Sequence, residues 1–192
     1  MCHLLPEAAE ARGLLALMMF LEARRPAQTG ADGAFVPLAQ QDTARGDRAA
    51  IGEAERMLWS AAQARTPGPF QLEAAVQSAH CQRLFTGSTP WQGIAGLYAQ
   101  INHHYPTLGA QVAGAVATAE AGDAQAGLDQ LDALASPRTR GFQPWWVARA
   151  HLLALLDRAD DAAGAYDTAI GLCTQERLRA FLQARRRAFG RG

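Results

Sequence analysis

The positions of the nine prolines constrain the fold of this 192-residue chain more than any other feature. A proline inside a helix removes a backbone donor and clashes with the preceding turn, whereas in the first turn it costs nothing. Four prolines stand just before or within the start of a run of apolar residues with helical spacing, and three follow such runs and end them. The four are Pro6, Pro69, Pro90 and Pro144, and the three are Pro26, Pro67 and Pro137. None interrupts a helical pattern, which predicts an all-α fold.

Apolar residues recur at helical spacing along the whole chain. Four stripes predict helices through residues 14–21, 91–105, 162–173 and 178–189, and the pattern between them predicts helices at about 48–65, 70–84, 108–121, 123–135 and 144–157. The first stripe comprises Leu14, Leu17, Met18 and Leu21. Ala34-Phe35-Val36 is the only candidate strand, too short for a sheet. We therefore expect about eight or nine helices in antiparallel hairpins.

A weak repeat marks the second half of the chain. At an offset of 38 residues, Asp123 aligns with Asp161 and Leu131 with Ala169. Small residues at close-packing positions and an aromatic in the second helix are typical of tetratricopeptide hairpins, whose period is about 34 residues. The loop at 136–143 absorbs the longer offset. Two ordinary antiparallel helix pairs with alanine-rich interfaces explain the pattern equally well.

These patterns predict one helical domain over residues 1–192 in three parts. The parts are N-terminal helices at 1–66 with an irregular loop at 26–41, a middle helix pair at 67–106, and stacked tetratricopeptide-like helix pairs at 107–192.

Charge and cysteine content narrow the class of protein. Eighteen basic and eighteen acidic residues cancel, so nothing draws the whole chain toward nucleic acid or membranes. All the basic residues are arginine, which excludes lysine-dependent chemistry such as Schiff bases and phosphate-binding loops. Three widely spaced cysteines, Cys2 among them, argue against a disulfide framework. With no signal peptide and an apolar run of only Gly13–Leu21, we expect a cytoplasmic protein.

Motifs for nucleotide phosphate, calcium, zinc proteases or a nucleophile elbow do not occur, so we expect no catalytic, metal-binding or cofactor-binding residues. A metal site assembled in space is conceivable from His80, Cys81, His151 and Cys173. Structural zinc ligands usually come in pairs at short spacing, which these do not show. Scattered core and surface residues are the favoured interpretation.

The carboxylates of the first third favour helix capping over acid–base catalysis, because they stand before helices or in early turns, where negative charge is stabilised. They are Glu7, Glu10, Asp42, Asp47, Glu53 and Glu55, while Asp32-Gly33 is typical of a turn.

The last helix is rich in arginine, which would suit phosphate contacts, but no aromatic residues interleave for stacking. The arginines are Arg177, Arg179, Arg185, Arg186, Arg187 and Arg191. We favour a solvated face, and expect no direct DNA binding by this chain.

Tryptophans are more often core than surface residues, but the pair Trp145-Trp146, after the glycine-containing loop, is a candidate for partial exposure. The candidate partner-binding residues are Trp91, Tyr98, Trp145, Trp146 and Arg149.

Short landmarks follow one another in order along nearly the whole chain. They include Gly13–Met18, Asp32-Gly33, Gln41-Asp42, Asp47-Arg48, Gly68–Leu72, Trp91 with Tyr98, Ala121-Gly122, Ala148–Ala150 and Ala165-Tyr166. Their order and spacing resemble the C-terminal tetratricopeptide-like extension of bacterial extracytoplasmic-function (ECF) RNA polymerase sigma factors. The chain departs from the family pattern at Thr43 and Gly46, in place of Arg and Trp, and at Ala113-Gly114, in place of Asn-Arg. The upstream sigma regions do not fit in the residues before Pro6.

The resemblance implies a regulatory, protein-interaction domain that modulates transcription initiation by contacting sigma regions, RNA polymerase or another protein. An excised piece or a free-standing relative would both fit. One alternative is a helical ligand-binding or enzymatic domain with an apolar pocket of Trp91, Tyr98, His80 and Trp145. Another is a stand-alone tetratricopeptide-like adaptor. The alanine-rich helical surface is compatible with a homodimer.

Overall fold

The computed structural model describes residues 9–189. This part of the chain forms ten α-helices and three short 3₁₀ turns, without a β-strand, and confirms the all-α prediction. The helices are α1 (Ala9–Arg24), α2 (Arg48–Ala62), α3 (Pro69–Cys81), α4 (Arg83–Thr86), α5 (Trp91–His104), α6 (Leu108–Glu120), α7 (Ala124–Ala133), α8 (Gln143–Leu155), α9 (Ala159–Leu172) and α10 (Glu176–Arg187). Predictions for Cys2, Pro6, Glu7 and Arg191 lie outside the described residues.

Prolines mark the helix starts as predicted. Pro69 is the first residue of α3, Pro144 is the second of α8, and Pro90 immediately precedes α5. At these positions the missing N–H leaves no intrahelical hydrogen bond unmade. The five helices predicted by range begin and end within three residues of their observed bounds.

The chain divides into two compact units. Among the described residues, the first unit contains 9–30 and Val36–Tyr105, and the second contains Ala31–Phe35 and 106–189. In the first unit α1 packs against both α2 and α3, and α5 packs against α3. Its main core is built mostly from small residues, with Phe20 as the largest buried side chain. The single domain over 1–192 stays a prediction.

The buried face of α1 differs from the predicted stripe. Met18 and Leu21 are 59% and 42% exposed, while Ala16 and Phe20 are fully buried. Because α1 is apolar all round, periodicity alone does not select the face. Close approach does, since a Cβ on Gly13 would lie 2.9 Å from the Gln71 nitrogen at the start of α3.

Three of these carboxylates, Glu10, Asp42 and Asp47, cap helices as predicted, and Glu10 does so at long range. Asp47 accepts hydrogen bonds from the first-turn amides of α2, and Asp42 caps a 3₁₀ turn in the same way. Glu10 lies in α1, yet its carboxylate accepts from the amides of Phe70 and Gln71 in the first turn of α3, at 3.0 and 3.2 Å. Glu55 instead accepts a hydrogen bond from Ser78 and links α2 to α3.

The second unit stacks two helix hairpins, α6–α7 and α8–α9, followed by α10. Its core includes Leu128, Leu131, Leu152, Leu153 and Tyr166. Small residues permit close packing, as predicted, since a Cβ on Gly127 would lie 2.6 Å from the Ala115 carbonyl oxygen. In the loop at 31–35, Gly33 has a φ of +79° and Asp32 accepts from the Ala34 amide, which confirms the predicted turn.

The repeat period is 35 residues, so the predicted offset of 38 was wrong. Helix α8 begins at 143 against 108 for α6, and α9 begins at 159 against 124 for α7. Asp123 precedes α7 and caps it, whereas Asp161 lies inside α9 and pairs with Arg158. Aligning these two aspartates shifted the register by three residues, almost one helical turn. Apolar residues then still align with apolar residues, so the apolar pattern does not reveal the wrong offset.

Backbone conformation supports the 35-residue period. Gly122 and Asp157 follow the first helix of each hairpin, 35 residues apart, and both have positive φ, +116° and +56°. Within 9–189 no helix has the length and apolar character needed to cross a bilayer.

Candidate functional site

Three of the five predicted partner-binding residues lie together on α8 in the second unit. Trp145 is buried and its Nε1 donates to the Leu131 carbonyl at 3.0 Å. The Trp146 ring meets it edge-on with centroids 4.8 Å apart, and its own Nε1 donates to the Arg140 carbonyl. Buried indoles with satisfied N–H groups serve packing. Trp145 therefore holds α8 against α7, and of the pair only Trp146 is partly exposed.

Arg149 is committed to the same hairpin contact. Its Nε donates to Asp132 at 2.9 Å, and its guanidinium carbon lies 5.7 Å from the centroid of the Trp145 ring. An ion pair combined with a cation–π contact fixes the side chain on α7. The departures Ala113 and Gly114 lie in α6, where Gly114 is buried.

Trp91 and Tyr98 lie on α5 in the first unit. The Trp91 ring meets His80 edge-on, with centroids 5.4 Å apart. Burial, and secondly the negative charge of Glu73, raise the pKa of Tyr98. The alternative pocket of Trp91, Tyr98, His80 and Trp145 thus draws three residues from the first unit, while Trp145 belongs to the core of the second.

The most exposed large apolar side chain among the described residues is Trp59 on α2, at 69%. It borders a cavity of about 430 Å³ between the second half of α2 and the first half of α3, which we call the Trp59 groove. The groove is lined by Glu55, Leu58, Trp59, Ala62, Pro67, Gln71, Leu72 and Ala75. The sequence interpretation grouped Trp59 with core tryptophans and missed it. A helical-wheel projection flags it, because it lies well off the face of Ile51, Ala54 and Ala61.

A second cavity, of about 40 Å³, lies where the end of α1, the loop at 38–46 and the α3–α4 junction meet, and we call it the Arg24 cavity. Its lining comprises Arg24, Ala27, Leu38, Gln41, Asp42, Thr43, Gly46, Ile51, His80, Cys81, Arg83 and Leu84. Two departures from the family pattern, Thr43 and Gly46, are among these residues. Sequence analysis missed the site, since its parts come from three separated segments.

Arg24, one of the residues that line this cavity, has polar atoms without hydrogen-bond partners. Its Nε and Nη1 are shielded from solvent and neither has a hydrogen-bond partner. Arg83, by contrast, donates from Nη1 to the Leu38 carbonyl, and Asp42 accepts from the Ala44 amide. A buried donor left unsatisfied costs about 1–3 kcal/mol, and more when it is charged. The fold therefore tolerates a local cost at Arg24.

The titratable groups around Arg24 do not supply its counter-ion. Burial, and secondly the charge of Arg24, lower the pKa of His80 to about 4, so the imidazole is neutral near pH 7. Burial raises the pKa of the Cys81 thiol, which stays protonated. Burial also lowers the pKa of Arg24, but a guanidinium keeps its proton in proteins.

The residues weighed for a metal site are divided between the units. His80 and Cys81 lie in the first unit, while His151 and Cys173 lie in the second, where His151 Nε2 is 2.6 Å from Glu120. Across 9–189 no group of three or more His, Cys, Asp and Glu is placed to hold a metal ion. Both cysteines are buried free thiols.

The arginines of α10 are partly engaged within the second unit. Arg186 forms a two-pronged pair with Asp167, at 3.0 Å for each bond, and Arg179 donates to the Cys173 carbonyl. The pair lowers the pKa of Asp167 and raises that of Arg186 through the hydrogen bonds. Both contacts tie α10 to α9.

Comparison with known proteins gives two matches. Residues 1–62 match a family described as "Family of unknown function (DUF6596)", a segment that includes Arg24, Gly46 and Trp59. An uncharacterised protein of Rhizobium meliloti (strain 1021) is 32% identical over 181 residues, which cover 94% of this chain and 43% of that protein. The chain therefore spans less than half the length of this relative. No solved structure matches the chain.

Proposed function

We propose that the chain is a cytoplasmic regulatory domain of the ECF sigma-factor type, which modulates transcription initiation by binding sigma regions, RNA polymerase or a partner protein. The observation that carries the proposal is the exposure of Trp59 beside an apolar groove. The ordered sequence landmarks suggest the partner. The occupant to which we commit is an apolar segment of the sigma regions.

The Trp59 groove has the chemistry of a protein contact. Tryptophan is enriched among the few residues that carry most of the binding energy of interfaces. The polar side chains at its ends are already engaged, because Gln71 bonds to Glu10 and Glu55 to Ser78. An entering apolar side chain would therefore displace water from the groove without breaking an ion pair.

The length of the Rhizobium meliloti relative supports a two-part arrangement. More than half of that protein lies outside the matched segment, which leaves room for further regions on the same chain. Helix hairpins also suit the role, since they offer rigid surfaces to peptides and helices without chemistry of their own.

The test measures binding of the full chain to purified sigma regions of an ECF sigma factor and to core RNA polymerase, by calorimetry and pull-down. We expect Trp59→Ser to weaken binding at least about tenfold. The matched control is Phe85→Ser, which removes another exposed aromatic, at 64%, from α4 in the same unit. No association of the wild type with either partner, or equal losses in the two variants, would overturn the proposal.

A second candidate function is a ligand-binding helical domain. The Arg24 cavity favours it, because an unpaired cation faces a space that can hold a small group. A stand-alone adaptor would differ only in its partner, and capture of a non-sigma protein through Trp59 would identify it.

A further inference from the structure

We propose that the Arg24 cavity is a binding site for a carboxylate-sized anion, attracted by the Arg24 guanidinium, two of whose nitrogens have no hydrogen-bond partner in the protein. This inference is independent of the proposed sigma-type regulatory function, because it concerns other residues of the first unit, and it names the ligand class for the second candidate function. The charge and the space of the cavity both support it.

The charge around the cavity is unbalanced. Arg24 carries a permanent positive charge, and its Nε and Nη1 have no partner although both are shielded from water. Its neutral neighbours His80 and Cys81 do not offset that charge at pH 7. Buried charges in proteins are normally paired. An anion would supply the missing pair.

One acidic side chain opposes an incoming anion. Asp42 lines the cavity, but its carboxylate is an acceptor for the Ala44 amide at 2.9 Å and forms no ion pair with Arg24. Arg83 also lines the cavity and adds a second positive charge. The balance among these three lining residues is one net positive charge.

The space matches a small group. The cavity holds about 40 Å³, whereas one water needs roughly 10–15 Å³. This is room for a formate ion or for the carboxylate end of a larger molecule. Leu38, Ile51 and Leu84 form an apolar wall, and an apolar wall strengthens the electrostatic attraction by lowering the local dielectric constant.

The shared chemistry is a carboxylate, which could belong to a small metabolite or to an acidic side chain of a partner. Sodium formate and a short glutamate-containing peptide represent the two sources. Thermal unfolding and calorimetry of the full chain at pH 7.5 would measure binding, with sodium chloride at equal ionic strength as reference. At ten times its dissociation constant, formate should raise the Tm by about 3–5 °C.

Variants locate the site. Arg24→Met should abolish the formate effect, while Arg25→Gln should keep it, since Arg25 is the neighbouring arginine in an exposed pair with Glu22. Asp42→Asn should tighten formate binding severalfold by removing the opposing charge. Trp59→Ser should leave it unchanged, which separates this inference from the proposed function.

Gly46→Leu supplies a second arm if Arg24→Met fails to fold. A Cβ at Gly46 has only ordinary contacts, the nearest being the Thr43 carbonyl at 3.4 Å, so a side chain can be added beside the cavity. We expect this variant to lose formate binding with Arg24 intact. The proposal is overturned if formate and chloride change the Tm of the wild type equally. It is also overturned if a folded Arg24→Met or Gly46→Leu variant binds formate as the wild type does. Competition by the peptide would extend the site to protein carboxylates, and its absence would restrict it to small anions.

Discussion

In the second unit, Asp132 and Asp167 stand 35 residues apart at the same position of the repeat, and each bonds an arginine of the following helix. In the first unit, Arg24 lines a cavity with residues of the 38–46 loop and the α3–α4 junction, yet two of its nitrogens have no partner. These two arginines of the second unit thus have carboxylate partners, whereas Arg24 of the first unit has none. Since folding alone favours satisfied polar groups, the open contact points to a ligand.

The first unit also exposes more large apolar side chains than the second. Among residues 9–189, six of the seven large apolar side chains that are exposed belong to the first unit, and one, Leu155, belongs to the second. In the second unit the large apolar side chains are mostly buried and stabilise the fold, since its core contains Trp145, Tyr166 and several leucines. A contiguous exposed apolar surface marks a contact with another molecule, and in the first unit Trp59 borders an apolar groove. Both proposed binding sites, the Trp59 groove and the Arg24 cavity, therefore belong to the first unit.

The largest effect should come from the core of the second unit. Leu152→Ala should lower the free energy of unfolding by about 2–5 kcal/mol, because the side chain is fully buried and its removal leaves a cavity. Leu155→Ala on the same helix is the control, with an expected loss of about 0.5 kcal/mol, as that side chain is 46% exposed. Equilibrium denaturation in urea measures both. Equal losses would contradict the assignment of the core.

The next effect is a pH dependence in the first unit. The pKa of His80 is about 4 in the folded chain, against 6.5 when unfolded, so the unfolded state takes up a proton first as the pH falls. The stabilisation is complete above pH 6.5 and is lost as the pH drops toward 4. At pH 4.5 the wild type should have lost about 2.5 kcal/mol through this group.

His80→Gln isolates that contribution. Its free energy of unfolding between pH 7.5 and 4.5 should fall less than that of the wild type by about the same 2.5 kcal/mol. Parallel pH profiles of the two proteins would show that the imidazole titrates normally in the fold.

A smaller effect tests the contrast between Arg24 and the paired arginines of the second unit. The same substitution at the two kinds of site should change the free energy of unfolding with opposite signs. Arg24→Met should raise the free energy of unfolding by about 1–2 kcal/mol, because it replaces an unsatisfied cation with an apolar side chain. Arg149→Met should lower it by about 0.5–1 kcal/mol through loss of the partly exposed Asp132 pair. Chemical denaturation at pH 7.5 without added carboxylate measures both. Changes of the same sign would remove the contrast between the units.

The smallest expected effect concerns the turn between α8 and α9. Asp157 has a φ of +56°, a region that glycine enters without strain. Asp157→Gly should therefore stabilise the chain by up to about 0.5–1 kcal/mol, whereas Gly122→Ala at the equivalent position should destabilise it by a similar amount. Melting temperatures of the two variants should move in opposite directions.

Proline placement and helical spacing were enough to predict the all-α fold and most helix bounds, because both act through local backbone geometry. They did not select the buried face of α1, where close approach of Gln71 to Gly13 decides. Spacing also misplaced the repeat, since Asp161 resembles a cap in sequence but lies inside α9.

The candidate sites were less accessible to sequence reasoning. A wheel projection of α2 could have exposed Trp59, as its angle on the helix is a local property. The Arg24 cavity could not have been found in this way, because residues near 24, 46 and 80 meet only after α1, α2 and α3 have packed. The absence of a partner for Arg24 is likewise a property of three dimensions.

Gly122 and Asp157 occupy the same position of the 35-residue repeat, and both have positive φ. The number of repeats in the second unit can therefore change during evolution. A hairpin that begins and turns at the same positions every 35 residues can be copied in frame without a new kind of junction. Duplicating residues 108–142 would give the next hairpin the neighbour it already recognises. Longer and shorter members of such a lineage could therefore arise by gain or loss of whole repeats, while the first unit stays unchanged.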